Sequence, residues 1–587
     1  APGFGADDYQ TCKRYGMEMV VPVDDRGRHT DYAGKYAGMT TDESNPVILA
    51  DMKESGALFA SEDITHSYPH CWRCKHPIIF RATPQWFCSV DAFKDAAVAA
   101  TESVRWIPGW GKDRMVSMIQ ERSDWCISRQ RRWGLPIPVF YCQDCGKPVC
   151  DDATIAAVSQ LFAAQGSNAW YEKEAGDILP AGYQCPHCGG THFTKEEDTL
   201  DGWFDSGSTH FASMKKDQGF WPATVYMEGL DQYRGWFQSS LLTAVGALGK
   251  GAPFKECVTH GWTVDGEGKA MHKSLGNGVD PADIFKKYGA DMIRLWAGSA
   301  DYHADVRCSD NIFKQLSQSY LKFRNTARYC LGNLDGFDAD HLAAPEEMLE
   351  LDRWAVTRLN RLMERCEAAY QNYEFHVVSH AVNDFCVVEL SSFYLDIIKD
   401  RLYCEERSGL LRRSAQTALY LILDTMTKIF APILAFTCDE IWQAMPHRSG
   451  DDPRNVLLNQ MNKPFVDYAL DDAAMAAWDG LIKVRDTVNI ALESARSEKK
   501  IGKGLEARVT LPAALLAGGR QLTEEELADL LIVSQVETGE HESVTVTPAQ
   551  GAKCERCWKI LPSVGRDGEH PTLCARCARV VRKLDIQ

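Results

Sequence analysis

Apolar residues recur at helical spacing through the middle of the chain. Two runs show the pattern most clearly: Leu351, Trp354, Leu359, Leu362 and Cys366, and then Leu419, Leu423, Met426 and Phe430. Residues three and four apart share one face of a helix, so each run predicts an amphipathic helix with a buried face. The sequence therefore predicts a helical bundle from about residue 310 to residue 470.

Upstream of this region the pattern is mixed. Short apolar runs at Pro77–Arg81 and Pro136–Tyr141 are typical of strands, and a helical stretch lies near Lys112–Arg122. Residues 1–70 are rich in Gly, Asp and Thr, with an apolar run at Val47–Leu49, and predict loops and strands with little helix. We expect an α/β body here, interrupted by an insertion.

Downstream of the bundle, the pattern predicts a helix over Ala473–Ser497 and a strand over Glu506–Leu511. The last residues form a separate small module. Overall composition is ordinary for a globular protein, with 45% hydrophobic and 25% charged residues, which excludes wholesale disorder or a fibre. The net charge of −17 means that any nucleic-acid binding would depend on local basic patches.

Ten of the 21 cysteines fall in Cys-x-x-Cys pairs. Two such pairs brought together offer four thiolates to a tetrahedral zinc ion and leave no open position for water. We predict two structural Zn²⁺ sites: Cys142, Cys145, Cys185 and Cys188, and Cys554, Cys557, Cys574 and Cys577. The pair Cys71/Cys74 has no second pair, so a mixed site with nearby histidines and a partner pair outside this sequence both stay open.

Cysteine pairs of this kind indicate a reducing compartment. The most apolar stretch, Ile429–Cys438, is about half the length that a membrane span needs, and no signal-peptide pattern is present. The cytoplasm is the expected location, without a membrane partner.

Three segments carry enough specific residues to identify a family. They are Trp125–Pro138 (WCISRQRRWGLPIP), Asp201–Ser208 (DGWFDSGS) with Glu228–Phe237 (EGLDQYRGWF), and Lys269–Asn277 (KAMHKSLGN). Together they strongly resemble class I aminoacyl-tRNA synthetases of the isoleucine, valine and leucine group. The first segment and the cysteine tail with Trp558 are similar to bacterial isoleucyl-tRNA synthetases in particular.

The resemblance implies an α/β plus all-α multidomain protein of protein biosynthesis, and a monomer. It would activate isoleucine with ATP and Mg²⁺ to isoleucyl-adenylate, transfer it to tRNA(Ile), and edit misacylated valine by hydrolysis. The expected domains are an editing-domain remnant (1–75), the C-terminal half of a Rossmann-like catalytic domain (76–310), an anticodon-binding bundle (311–470), a mixed α/β linker domain (471–549) and a zinc knuckle (550–587). The catalytic domain is expected to contain a zinc-binding insertion at about 141–190 and a mobile loop at 266–278.

The resemblance also implies roles for individual residues. Lys273 matches the second lysine of the family's Lys-Met-Ser-Lys-Ser loop and is the expected catalytic and ATP-binding residue, although Ala270 and His272 depart from that pattern. Glu228 matches the carboxylate that contacts the aminoacyl-adenylate. Asp231 and Gln232 are expected to hold its α-ammonium and ribose. Activation of this kind is mostly positioning plus stabilisation of phosphate charge by cations. A plain capping or pairing role on a turn stays open for Glu228, Asp231 and Gln232.

The first residues resemble the end of the family's editing motif. Asp8 matches the aspartate that anchors the ammonium group of a misacylated tRNA; editing is needed because one methylene gives a pocket little discrimination. The His-Thr half of that motif and the family's His-Ile-Gly-His motif are absent from this sequence. We expect a C-terminal fragment that cannot activate isoleucine alone.

Two alternatives stay open. One is a fragment of a valyl-tRNA synthetase, which the cysteine tail disfavours. The other is a non-catalytic tRNA-binding protein with zinc knuckles. Basic residues outnumber acidic ones between Lys553 and Lys583, so the tail is the stronger candidate for a tRNA contact. Weaker candidates are Lys322, Arg324, Arg328, Arg358 and Arg361.

Overall fold

A computed structural model describes residues 3–71, 74–214, 219–271, 276–517 and 520–584. The chain divides into two units, Ala1–Thr259 and His260–Gln587. Within the described ranges, no helix combines the length and the apolar character needed to cross a membrane.

The first unit is a mixture of short strands and helices. Its α-helices are α1 (Ala6–Arg14), α2 (Thr41–Glu54), α3 (Lys94–Thr101), α4 (Gly111–Gln120), α5 (Asp152–Gln165), α6 (Ala169–Glu172), α7 (Ala175–Ile178), α8 (Gly202–Gly207), α9 (Thr209–Ala212) and α10 (Trp236–Leu242). Its strands are β1 (Phe87–Cys88), β2 (Arg105–Ile107), β3 (Trp125–Cys126), β4 (Ser128–Arg129), β5 (Phe140–Cys142), β6 (Pro148–Val149), β7 (Phe193–Lys195), β8 (Thr199–Leu200), β9 (Ala223–Gly229) and β10 (Phe254–His260).

The prediction of little helix in residues 1–70 was wrong. Helix α2 includes Val47–Leu49, which the apolar run had assigned to a strand. It begins with a capping box: Thr40 accepts from the backbone N–H of Glu43, and the Glu43 side chain accepts from the backbone N–H of Thr40. This cap satisfies two backbone donors at the helix start, which favours helix over strand locally.

Strands β2, β10 and β9 form a three-stranded sheet in that order, and β2 and β10 run parallel. Helices α3, α4 and α10 supply apolar residues to its core. Its largest buried members are aromatic: Trp106, Trp125, Tyr226, Tyr233, Phe237 and Phe254. The predicted helix near Lys112–Arg122 is confirmed as α4, whose buried face includes Met115 and Ile119.

The insertion has its own small core. Strands β6, β5 and β7 form an antiparallel sheet, with β5 in the centre. Helix α5 begins at a capping box between Asp151 and Thr154. Phe140 on β5 packs against the buried Trp170 of α6, with ring centroids 5.1 Å apart.

The second unit is mainly helical. Its α-helices are α11 (Pro281–Tyr288), α12 (Ala290–Ser299), α13 (Asp310–Asn333), α14 (Glu350–Gln371), α15 (Phe375–Asp384), α16 (Leu395–Ile397), α17 (Lys399–Cys404), α18 (Leu410–Phe430), α19 (Ala435–Ala444), α20 (Asp472–Ser497), α21 (Glu524–Leu531) and α22 (Ala575–Leu584). Its strands are β11 (Thr263–Val264), β12 (Val306–Arg307), β13 (Ala507–Pro512), β14 (Gln535–Gly539), β15 (Thr545–Pro548), β16 (Ala552–Lys553) and β17 (Ile560–Leu561).

The predicted bundle is confirmed by helices α13 to α19. Helix α18 is its centre, because every residue from Ser414 to Phe430 is buried. Such a helix packs against neighbours on all sides. A π-helical segment, Phe385–Tyr394, links α15 to α16 and buries Phe393 and Tyr394.

The C-terminal module lies against helix α17 within the second unit. Arg556 donates to the carbonyl oxygen of Cys404 at 2.9 Å. Arg576 reaches both carboxylate oxygens of Asp400, at 2.5 and 2.9 Å. These contacts fix the module through paired charges as well as through apolar packing.

Candidate active site and metal centres

The Cys-x-x-Cys pairs at Cys142, Cys185 and Cys554 share one backbone turn, whereas Cys574 and Cys577 lie at the start of α22. In the pair that begins at Cys554, the N–H of Cys554 donates to Lys559 and the N–H of Trp558 donates back to Cys554, both at 2.9 Å. The pairs that begin at Cys142 and Cys185 repeat the second bond from Gly146 and Gly189, each at 2.8 Å. This turn aims both sulfurs of a pair toward one point.

Sulfur positions in both four-cysteine groups fit zinc. In each group the four Sγ atoms lie within 4.8 Å of one another. Cys142 and Cys188 are 3.5 Å apart, and Cys145 and Cys185 are 3.8 Å apart. Cys557 and Cys574 are 3.8 Å apart. A tetrahedral zinc ion with Zn–S bonds of about 2.3 Å places its sulfurs about 3.8 Å apart.

Backbone donors also favour thiolates at these positions. The N–H of Cys574 points at the sulfur of Cys554 at 3.3 Å, and that of His187 points at Cys185 at 3.4 Å. Burial raises the pKa of Cys185, but backbone hydrogen bonds from His187 and Cys188, together with side-chain hydrogen bonds from Cys142 and Cys188, lower this pKa to about 7. Zinc needs the deprotonated thiol, so these donors prepare the ligand.

The remaining pair, Cys71/Cys74, has the same turn. The N–H of Cys71 donates to His76 and the N–H of Lys75 donates to Cys71, both at 2.8 Å. Lys75 has a positive φ of 63°, close to the 65° of Trp558 in the C-terminal module. Within the described ranges, no third cysteine, histidine or carboxylate completes a cluster with this pair.

The expected adenylate residues lie at the end of strand β9 and in the turn that follows it. Glu228 is the penultimate residue of β9 and is exposed, as is Asp231 in the following 3-10 turn, Leu230–Tyr233. Ligands of α/β sheets bind at such carboxyl ends of strands. Among the described residues, Glu228 accepts only from the backbone N–H of Gly229, at 3.3 Å, and its side chain is exposed.

Gln232 faces inward and organises this turn. Its side-chain oxygen accepts from the backbone N–H of Trp236 at 2.9 Å, at the start of α10. Its amide nitrogen donates to Asp231 at 2.9 Å. A Cβ at Gly235 would lie 2.6 Å from that side-chain oxygen and 2.8 Å from the ring of Trp203. The turn therefore requires glycine.

Two tryptophans stand beside this turn. Trp236 stacks on Tyr226 of β9, with ring centroids 4.0 Å apart and an interplanar angle of 8°. Its indole donates to the carbonyl oxygen of Ser206 at 3.1 Å. Trp203 is 44% exposed, so it is the one whose face stays open to a ligand.

Asp201 is a site residue that the sequence reasoning left without a role. It is buried and joins two of the three diagnostic segments: it accepts from Trp125 at 2.9 Å and pairs with Arg129 at 3.0 Å. Its other oxygen caps α8 through the N–H of Trp203. In the sequence, these contacts were indicated only by an aspartate in one segment and by a tryptophan and an arginine in the other. That pattern does not show which of these residues form a pair.

The expected catalytic lysine lies outside the described residues. Lys273 and its neighbours His272, Ser274 and Leu275 are not described, whereas both ends of their loop are. Asn277 donates to Asp265 at 2.9 Å and to the carbonyl oxygen of Ala270 at 3.1 Å. The two ends are thus held together at the base of the loop.

Asp8, the expected editing residue, lies in the first turn of α1 and is exposed. An acidic residue there also complements the positive end of the helix dipole. Of the weaker candidates for phosphate contact, Arg358 pairs with Asp479 at 2.6 Å, and Arg361 lies 3.9 Å from Asp472. Lys322, Arg324 and Arg328 are exposed along α13.

Three known protein families match successive parts of the chain. The family described as tRNA synthetases class I (I, L, M and V) matches residues 9–309, just over half of the chain. The chain belongs to the class I tRNA synthetases. An anticodon-binding domain of tRNA ligases matches residues 352–511, and a zinc finger found in FPG and IleRS matches residues 551–580. The expected synthetase fold, with a helical anticodon-binding domain and a C-terminal zinc finger, is confirmed.

Two of the similar relatives are isoleucine–tRNA ligases. That of Moorella thermoacetica is 48% identical over 604 aligned residues, covering 100% of this chain and 64% of the relative. That of Carboxydothermus hydrogenoformans is 49% identical over 601 residues, with the same coverage. This synthetase chain thus spans about 64% of the length of its relatives. A solved LeuRS of Agrobacterium radiobacter K84, in a ternary complex with tRNA and LeuAMS, matches at 18% identity with a TM-score of 0.46, covering 79% of this chain and 50% of that chain.

Proposed function

We propose that this chain is the part of an isoleucine–tRNA ligase that holds isoleucyl-adenylate and tRNA(Ile). The observation that carries the proposal is the 48% identity to the Moorella thermoacetica ligase over the full length of the chain. Since the chain spans 64% of that relative, the activity of a whole ligase is also part of the proposal.

The chemistry has two steps. A carboxylate oxygen of isoleucine attacks the α-phosphorus of ATP, and pyrophosphate leaves. The 3′-terminal ribose hydroxyl of the tRNA then attacks the adenylate carbonyl, and AMP leaves. Both steps depend on holding charged groups in line, so fixed carboxylates and cations near the reacting atoms account for most of the rate.

The carboxylates of Glu228 and Asp231 can accept hydrogen bonds from the α-ammonium group and the ribose hydroxyls of an isoleucyl-adenylate. Both carboxylates are exposed at the end of β9, on a turn that Gln232 and Gly235 fix. We assign the adenylate contact to Glu228, and the α-ammonium and ribose to Asp231 and Gln232. Lys273 would place its ammonium group on the phosphates of ATP, which arrives with Mg²⁺.

Zinc would be structural in both clusters. Cys554, Cys557, Cys574 and Cys577 would hold one ion, and Cys142, Cys145, Cys185 and Cys188 the other. When bound, the ion ties two distant turns into one module too small to be stable otherwise. With four thiolate ligands it leaves no position for substrate.

The other assignments follow the same proposal. Asp8 would anchor the ammonium group of a mischarged valine during editing. The chain would work as a monomer in the cytoplasm, where its cysteines stay reduced. The basic C-terminal module would contact tRNA through phosphates.

Pyrophosphate exchange tests the activity. We expect no isoleucine-dependent exchange by the 587-residue chain alone, and exchange after addition of the N-terminal segment of the Moorella thermoacetica ligase that precedes the matched region. Glu228→Gln should then lower exchange about a hundredfold. The control is Glu54→Gln, at the exposed end of α2.

Binding of tRNA tests the partner separately. Tighter binding of tRNA(Ile) than of tRNA(Val) supports the proposal. Tighter binding of tRNA(Val), or exchange that depends on valine more than on isoleucine, would indicate the valine enzyme. Binding of tRNA without any restored exchange would favour a non-catalytic RNA-binding protein.

A further inference from the structure

One loop of the first unit carries an unpaired basic and aromatic tip. It comprises residues 130–135, between β4 and the buried Pro136, and we call it the Arg–Trp loop. Trp133 at its tip is 93% exposed, more than any other tryptophan in the described ranges. Arg131 and Arg132 are exposed beside it. Neither arginine forms an ion pair or a side-chain hydrogen bond with any described residue.

The base of this loop is rigid. Strand β4 pairs with β8, in which Arg129 lies opposite Thr199. Pro136 also forms a bridge to Thr199, so both ends of the loop contact this residue. The N–H of Leu200 donates to the carbonyl oxygen of Leu135 at 2.7 Å. A Cβ at Gly134 would lie 2.9 Å from Thr199, so the backbone passes as close as glycine allows. The backbone on both sides of Trp133 is therefore held against Thr199 and Leu200.

A cavity of about 490 Å³ opens beside the tip. Arg131 and Arg132 line it together with Tyr171, which is 50% exposed. Glu196 also lines it, but its oxygens are occupied by Trp86 at 2.9 Å and by backbone N–H groups. The ammonium group of Lys195 donates hydrogen bonds to the carbonyl oxygens of Trp170 and Lys173. The cations free to bind a ligand are thus the two arginines.

Free guanidinium groups beside exposed aromatic faces suit single-stranded nucleic acid. Each base can stack on a ring while the phosphates pair with arginine, without any requirement for a particular base. The exposed glutamates Glu174 and Glu197 share the cavity, so attraction must come from these specific contacts. An acidic peptide would pair with the arginines but leave the Trp133 ring without a stacking partner. An apolar helix would contact the ring but leave the arginines without a counter-charge.

The loop is also close to the adenylate turn through a short series of contacts. Arg129 at its base pairs with Asp201, Asp201 caps the helix of Trp203, and Trp203 packs at Gly235. The part of a tRNA that must reach an adenylate is its single-stranded 3′ end.

We propose that the Arg–Trp loop holds the single-stranded 3′ terminus of tRNA, with a base stacked on Trp133 and phosphates paired with Arg131 and Arg132. This inference rests on the proposed function, because it assigns a surface to the tRNA of that reaction. No residue already assigned to the adenylate is involved.

Two RNAs test it on the full 587-residue chain: tRNA(Ile), and the same tRNA shortened by its unpaired 3′ nucleotides, both labelled at the 5′ end. We expect Trp133→Ala to weaken binding of the intact tRNA about tenfold and to leave the shortened tRNA unchanged. Trp133→Tyr should retain most of the affinity. Arg131→Gln with Arg132→Gln should lower the salt dependence of intact tRNA binding, by about 0.7 in the logarithmic slope per lost phosphate contact.

Matched controls are Phe59→Ala, a fully exposed aromatic residue elsewhere in the unit, and Arg14→Gln, an exposed arginine of α1. Equal weakening of both RNAs by Trp133→Ala overturns the inference, and so does no weakening of either. In both cases the proposed function survives, because wild-type binding of tRNA is still seen. Failure of the wild-type chain to bind either RNA overturns both.

Discussion

Arg401 donates two hydrogen bonds, each 2.8 Å long, to the two carboxylate oxygens of Asp352. The Asp352 side chain has no exposed surface. It also accepts from Tyr394 at 2.7 Å and from Ser414 at 2.5 Å. One buried carboxylate therefore joins α14, α17, α18 and the π-helical segment of the anticodon-binding bundle.

Loss of this charge should destabilise the bundle. Asp352→Asn leaves the Arg401 guanidinium without its counter-charge in a buried position, which costs about 3–5 kcal/mol. Urea unfolding followed by circular dichroism should show a lower midpoint. Asp335→Asn is the control, since the exposed Asp335–Arg407 pair should contribute less than about 1 kcal/mol. Equal effects of both substitutions would mean that burial does not set the cost.

Each of the two four-cysteine groups should bind one zinc ion independently of the other. We expect two zinc ions per chain by atomic absorption, and one after Cys145→Ser with Cys185→Ser. Cys557→Ser with Cys574→Ser should also leave one, because each pair of substitutions removes half of one ligand set. The exposed Cys150 belongs to neither group, so Cys150→Ser should leave two. An unchanged zinc content in either double variant would contradict that site.

Stability between pH 4 and 6.5 should depend on two groups of the first unit, His210 and Asp205, whose pKa values are shifted so that their effects on stability oppose each other. Burial, with a smaller contribution from Lys250, lowers the pKa of His210 to about 4. Trp221 donates to its Nδ1 at 3.2 Å, which holds the neutral ring. Because the folded state binds fewer protons than the unfolded state, His210 adds stability above about pH 6.5 that is lost as the pH falls toward 4, about 3 kcal/mol in all.

Asp205 acts in the opposite direction. Burial and the nearby Asp201 raise its pKa to about 6, and its Oδ1 has no hydrogen-bond partner in the described part of the chain. The folded state holds this proton longer, so stability falls as the pH rises from 4 to 6. Relative to the wild type, we therefore expect His210→Gln to lose stability with rising pH in this window and Asp205→Asn to gain it, as measured by urea midpoints. His66→Gln, at an exposed position, is the control; parallel pH profiles for all variants would refute the assignment.

Much of the bundle and both four-cysteine clusters could be predicted from the sequence. Helices such as α18 carry their apolar spacing in the chain itself, and the pairs at Cys142, Cys185 and Cys554 each fold into the same local turn. The spacing and the turns depend on residues within a few positions of one another. The apolar and cysteine patterns therefore predicted them without reference to the rest of the fold.

Other features depend on partners that the sequence does not place. Helix α2 buries only Ser44, so no apolar face indicates it, and only its capping box does. Asp201 meets Arg129 and Trp125 across more than 70 positions. The contact between Gly235 and Trp203 likewise depends on how α8 packs against α10. Tertiary packing fixes these relationships, so they required the structure.

The last prediction concerns this glycine, which tests whether the adenylate turn is as tightly built as its geometry indicates. Gly235→Ala would push a methyl group against Trp203 and Gln232, and overpacking of this kind costs about 1–3 kcal/mol. We expect a lower urea midpoint and at least a tenfold loss of exchange in the mixture with the Moorella N-terminal segment. Gly176→Ala, with open space around it, should change neither. If Gly235→Ala retains full exchange, the turn adapts freely, and the assignment of Gln232 and Asp231 to a fixed ligand geometry is wrong.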